Sequence, residues 1–171
     1  MKPAVLAAAA IALALPSAAP AQEVRFDIQP TLDCIEEARR SDLRPTCVGE
    51  AAQACIRRIP NAGPVDVSLC MEQETRYWAR RMETAYDEMH ARAEAADAEF
   101  AQTEMAAKVP FKLTEDLALM QEAWRAWREK RCAFEAMLHR GTPEASMSAA
   151  WCMVRQTGAQ ALFLERSAAM D

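Results

Sequence analysis

The chain has 171 residues, of which 20 are basic and 25 acidic, so its formal charge at pH 7 is −5, and only four residues are glycine. A net acidic chain lacks the cationic surface that nucleic acid phosphates require. Sparse glycine with abundant alanine, glutamate, arginine and methionine argues for helices joined by short loops, and the length fits one domain with a modest core.

The chain opens with Met1-Lys2-Pro3 and the apolar run VLAAAAIALAL, which is shorter than the roughly 20 residues a bilayer span needs. One positive charge, a short apolar core, Pro16, Ser17 and the small triplet Ala19-Pro20-Ala21 predict a signal peptide over 1–21, cleaved after Ala21. The single mature domain is then 22–171, with a charge of about −6 because the leader removes one lysine and no acid. The first cysteine, Cys34, follows Thr31-Leu32-Asp33 well past the apolar run, which disfavours a lipid anchor. No later segment is apolar enough to cross a membrane, so a periplasmic or secreted location is predicted.

Breaks at Ser41 to Pro45, Pro60 to Pro64, Val109-Pro110 and Gly141-Thr142-Pro143 divide the chain into five predicted helices. The first, Asp33 to Arg40, takes Asp33 as its N-cap, and the second, Thr46 to Arg58, takes Thr46. Both are too short to be stable alone. The third runs from Asp66 or Val67 to about Ala107, with Leu69, Trp78, Met82, Ala85, Tyr86, Met89, Ala93, Ala96 and Phe100 on an apolar face. The fourth, from Lys112 or Leu113 to His139, repeats Leu113, Leu117, Met120, Trp124, Trp127, Arg131, Phe134 and Leu138 at alternating four and three. That spacing predicts the seam of an antiparallel pair with the third helix. The fifth, from Pro143 to about Ala168, carries Met147, Trp151, Val154, Gly158 and Leu162 on one face, and Gly158 invites close approach of a neighbouring helix. The predicted fold is an all-α, disulfide-stapled bundle with two long central helices.

Six cysteines, an even number in an exported chain, predict three disulfides. Cys47 and Cys55 lie about 12 Å apart along one predicted helix and cannot bond each other. In a helical hairpin, residues equidistant from the turn come opposite. This pairs Cys34 with Cys47, Cys55 with Cys70, and Cys132 with Cys152; Cys34 to Cys55 with Cys47 to Cys70 is the alternative. Zinc is disfavoured, since only His90 and His139 are available and no C-x-x-C pair occurs. The ten methionines are dispersed, which suits core filling better than a copper site.

Glu74-x3-Trp78-x7-Tyr86, then Gln121-x2-Trp124-x3-Arg128-x3-Cys132, then Cys152-x4-Thr157 resembles the LprI-like lysozyme-inhibitor N-terminal domain family over about Cys34 to Leu164. The chain departs from the usual family pattern at Ala79, at Met82-Glu83 and at Gln160, where an arginine is usual; Met82 still fills an apolar position. The resemblance implies an exported helical domain that binds a protein partner, lysozyme being the most concrete.

Gln121, Trp124, Arg128 and Cys132 share one helix face. They read either as a recognition patch or, preferably, as core tryptophan, bonded cysteine and polar groups that hydrogen-bond neighbouring helices, including Glu74. Glu74 beside Tyr86 invites a general-acid reading, but a structural ion pair is the better one, and no catalytic, cofactor or metal constellation is found. The residues Asp87, Glu88, Glu94, Asp97 and Glu99 read as a solvated face, and His90 and His139 as solvent-facing. The leading function is a protein-binding module that inhibits lysozyme through acidic residues or the turn from His139 to Ser146. A structural or stress-related envelope protein acting through another periplasmic partner is the alternative. The oligomeric state is not legible.

Overall fold

A computed structural model of the chain describes residues 25–38 and 44–169. The predicted signal segment, 1–21, and the Ser41 end of the first break lie outside these residues. The described residues form five α-helices and no strand: α1 Gln29–Ala38, α2 Glu50–Arg57, α3 Pro64–Phe100, α4 Leu113–Met137 and α5 Glu144–Ala168, with a 3-10 turn, Arg44–Cys47, before α2.

Three boundaries differ from the sequence reading. Asp33 lies inside α1 rather than at its start, and the carboxylate of Asp27 accepts the Gln29 N–H at 3.0 Å instead. The Thr46 segment is a 3-10 turn, and α2 begins only after Gly49, whose φ of 105° is a left-handed conformation that a side chain would strain. A Cβ on Gly49 would also meet Trp151 Cζ3 at 2.7 Å. α3 ends at Phe100, not near Ala107; residues 101–108 are turns. At its start the Asp66 carboxylate accepts the Gly63 N–H at 2.9 Å, and Pro64 occupies the first turn, where its missing N–H costs nothing.

The bundle is built on α3, which packs chiefly along α5, while α4 lies mainly on α5 and α2 on α3. The core is Val48, Trp78, Met82, Ala85, Leu117, Val154, Ala161, Leu162 and Leu164. Tyr86, Met89, Trp124 and Trp151 close its edges. On α3 the expected face is buried at Trp78, Met82, Ala85 and Ala93, whereas Leu69 and Phe100 at its ends are exposed. Gly158 does permit a close approach, but of the Val48 side chain in the turn before α2 rather than of a helix. A Cβ there would sit 2.5 Å from Val48 Cγ1.

The seam predicted for α4 is not the buried face. Leu117 is buried and Trp124 half-buried, while Leu113, Met120, Trp127, Arg131, Phe134 and Leu138 are exposed. The inner face instead runs through Leu117, Gln121 and Cys132, with Arg128 half-buried between them. Apolarity alone points to the wrong side because the polar residues on the inner face find partners, as described below, and the disulfide to α5 holds the helix in this rotation.

Disulfides join Cys34 to Cys47, Cys55 to Cys70 and Cys132 to Cys152, with Cα–Cα distances of 5.5, 5.8 and 5.3 Å. Each closes a short loop between neighbouring elements, and the crossed alternative is not formed. A loop of this size contributes about 3 kcal/mol on the chain-entropy view. That is a large share for α1 and α2, which are 10 and 8 residues long.

Candidate functional site

A short helix such as α2 exposes backbone N–H groups at its start that must find acceptors if the end is buried. Here they are met from outside the helix. The carboxylate of Glu74, on α3 and fully buried, accepts the Gly49 N–H at 2.8 Å and the Ala52 N–H at 2.7 Å. It also accepts the Thr31 hydroxyl at 2.9 Å and the Trp78 indole N–H at 3.0 Å. Thr31, likewise fully buried, takes the Ala51 N–H at 2.9 Å. One carboxylate therefore joins α1, α2 and α3.

No cation is among these partners, so the ion pair expected for Glu74 is not found among the described residues. The backbone N–H groups at the α2 N-terminus and two neutral side-chain donors, Thr31 and Trp78, hold the charge in its place. Tyr86 is not a partner of Glu74 either; its ring lies 6.1 Å from that of His90. With every carboxylate contact given to the protein's own donors, Glu74 is a structural hub rather than an acid facing a substrate.

The other residues singled out from sequence form a second set, between α4 and α5. Gln160 donates to the Gln121 carbonyl oxygen at 2.9 Å, both side chains being buried. Arg128 donates to Thr157 Oγ1 at 3.2 Å, and its guanidinium lies 4.8 Å from the centre of the Trp124 ring. Burial pushes the Arg128 guanidinium below its usual pKa, with Glu129 partly offsetting it. Gln121 and Arg128 thus tie α4 to α5 and not to Glu74. Gln160, the departure from the usual arginine, is the direct partner of Gln121.

Two further contacts were not anticipated. Arg81 on α3 makes a bidentate pair with Glu165 on α5, at 2.6 and 2.7 Å, and lies over the Trp78 ring at 5.1 Å. Burial alone would lower its pKa, but Glu165 and the Tyr77 hydroxyl outweigh this and leave it raised. Asp97, read as part of a solvated face, instead caps α4. It accepts the Leu113 and Thr114 N–H groups at 2.9 and 3.1 Å and the Thr114 hydroxyl at 2.8 Å. These hydrogen bonds hold its carboxyl below the usual aspartate value. The only advance signal was charge one turn from an apolar face, which many solvated residues share.

The surface offers shallow features. An apolar hollow of about 350 Å³ lies where α3 meets the start of α4, lined by Ala96, Phe100, Val109, Phe111 and Leu113, and the one acid beside it that makes a strong contact, Asp97, is already committed to the cap. A second, of about 410 Å³, lies between Ser68, Glu72 and Thr75 of α3 and Ser146, Ala149 and Met153 of α5. Above it stands the turn joining α4 to α5, where residues 137–144 are all exposed. Among the described residues no group of three potential metal ligands is found, and no helix is long and apolar enough to cross a membrane.

The sequence profile described as "Lysozyme inhibitor LprI" matches residues 59–164, more than half of the chain. The chain belongs to the LprI family. The match starts at Ile59, so it takes in α3, α4 and α5 but not α1 and α2, a later start than the resemblance from Cys34 suggested. Glu74, inside the LprI segment, is thus completed by Thr31, Gly49 and Ala52 outside it. A Rhodobacter capsulatus protein described as an uncharacterized 17.7 kDa protein in the puhA 5′ region is 37% identical over 158 residues, spanning 92% of this chain and 93% of its own. No solved structure matches.

Proposed function

We propose that this LprI-family chain is an exported protein-binding module that inhibits lysozyme by presenting the α4–α5 turn to the enzyme's cleft. The observation that carries this reading is the turn itself. It projects from the bundle with Arg140 and Glu144 exposed, and the Cys132–Cys152 disulfide fixes its base. The Thr142 hydroxyl and the Glu144 backbone N–H, helped by His139, hold the Glu144 carboxyl below its usual pKa, so the turn carries an anion as well as the cation of Arg140. The catalytic cleft of a lysozyme contains a carboxylate pair, to which Arg140 is complementary. The acidic remainder of the chain favours encounter with a basic enzyme.

Three disulfides suit an oxidising compartment, which supports export by the predicted signal peptide at 1–21 and a periplasmic or secreted location. Family membership supports a binding role over a catalytic one. The test is inhibition of lysozyme by the oxidised mature protein, repeated with an Arg140→Ala, Glu144→Ala variant. Inhibition that falls at least about tenfold in the variant, with the fold unchanged, supports the reading. Equal inhibition by both proteins removes the turn as the contact.

A further inference from the structure

The three disulfides differ in how far solvent reaches them. Cys34, on α1, is partly exposed, whereas Cys47, Cys55, Cys70, Cys132 and Cys152 are only 0–2% exposed. The Cys34–Cys47 bond is therefore the one of the three that a thiol can approach from solvent, since in the other two both cysteines are buried. It is also the bond on which its own element depends most. α1 packs mainly against the 3-10 turn and α2, Thr31 is its one buried residue, and Ile35 touches the core only from its edge. A helix of 10 residues held by so little does not persist in water without a tether.

We propose that Cys34–Cys47 is a redox latch: a dithiol reductant opens it ahead of the other two bonds, and opening it frees α1 while α3, α4 and α5 stay folded. Accessible disulfides are the labile, regulatory ones. A thiolate of the dithiol attacks Cys34 Sγ, forms a mixed disulfide with it and expels the Cys47 sulfur as a thiolate, which takes up a proton. The second thiol of the reductant then gives up its proton and attacks the reductant sulfur of the mixed disulfide, releasing Cys34 as a thiolate that is protonated in turn. Two electrons pass to the protein. The dithiol ends as a disulfide, and Cys34 and Cys47 end as thiols.

Release of α1 reaches the rest of the chain through Thr31, whose hydroxyl donates to Glu74 and accepts the Ala51 N–H. Without it the Ala51 N–H loses its acceptor, and the first turn of α2 frays. The loosening stops there. Glu74 still accepts the Gly49 and Ala52 N–H groups, and Cys55–Cys70 still fastens α2 to α3. The three long helices keep their shared core and the Cys132–Cys152 bond. Both cysteines of the latch also precede residues 59–164, the segment that matches the LprI profile, so the latch lies outside the family's bundle. This inference does not depend on lysozyme binding.

Brief exposure of the oxidised mature protein to graded dithiothreitol, followed by alkylation and peptide mapping, tests it. Cys34 and Cys47 are expected to become alkylated at least about tenfold faster than any of the other four cysteines. Hydrogen exchange of the partly reduced protein should rise in α1 and at Ala51 while α3 and α5 stay protected. A Cys34→Ser, Cys47→Ser variant should show the same exchange pattern with no reductant present. Reduction of all three bonds together overturns the proposal, as does earlier opening of Cys55–Cys70 or Cys132–Cys152. An α1 that stays protected after its bond is cut overturns it equally.

Discussion

Replacing Glu74 by glutamine removes one charge and one acceptor while leaving the shape intact, and the geometry sets the cost. One carboxylate oxygen takes Thr31, Gly49 and Trp78; the other takes only Ala52. The glutamine carbonyl serves best at the three-donor position, which turns the amide NH2 toward the Ala52 N–H. A charge-assisted hydrogen bond is lost there, at roughly 1.5–3 kcal/mol, and two buried donors face each other without an acceptor, at roughly 1–3 kcal/mol. We expect Glu74→Gln to cost about 3–5 kcal/mol, a third or more of the stability usual for a domain. At about 2–4 °C per kcal/mol for this size, the Tm falls by roughly 6–20 °C. Thermal unfolding of the oxidised protein followed by circular dichroism reads this directly. Hydrogen exchange should show the loss concentrated at Gly49, Ala51 and Ala52. A Tm within about 2 °C of wild type would mean that the carboxylate does not hold α2 in place.

Three more outcomes follow from the packing. Gly158→Ala should destabilise by about 1–3 kcal/mol despite the better helix propensity of alanine, because its Cβ would press on Val48 at 2.5 Å in a turn anchored by a disulfide and by Glu74; adding Val48→Ala should recover part of the loss in chemical denaturation. A double-mutant cycle on Arg81→Ala and Glu165→Ala should give a coupling of about 1 kcal/mol, reflecting a bidentate pair only partly screened by solvent, and additivity would deny it. For Asp97, whose folded pKa is depressed, the cap on α4 is fully formed above the ordinary aspartate value of about 3.9 and is lost as pH falls through the lower folded value. The amide resonances of Leu113 and Thr114 should therefore titrate below that ordinary value, and Asp97→Asn should abolish the titration.

The helices and their order were legible from sequence because alanine-rich apolar periodicity and proline or glycine breaks act locally. The cysteines were legible because a hairpin fixes which residues come opposite. What escaped depends on contacts between elements distant in the chain. Nothing near Thr31 announces that its hydroxyl will cap a helix beginning 19 residues later, and nothing near Asp97 announces α4. The rotation of α4 was misjudged for a related reason. Gln121 and Arg128 count as polar in a periodicity argument, yet Gln160 meets the Gln121 side-chain oxygen and Thr157 and Trp124 meet Arg128 on the inner side, although Gln121 Nε2 and Arg128 Nε stay without a hydrogen bond, and Trp127 and Phe134 are left outside. The motif Gln121, Trp124, Arg128 and Thr157 therefore marks the α4–α5 joint.

The central functional claim is tested most directly by titrating the purified, oxidised mature protein against lysozyme in a cell-wall lysis assay. Loss of lytic activity that saturates near one inhibitor per enzyme, and that weakens as salt is raised, is the predicted result. Full lytic activity at a large molar excess of the folded protein would contradict it.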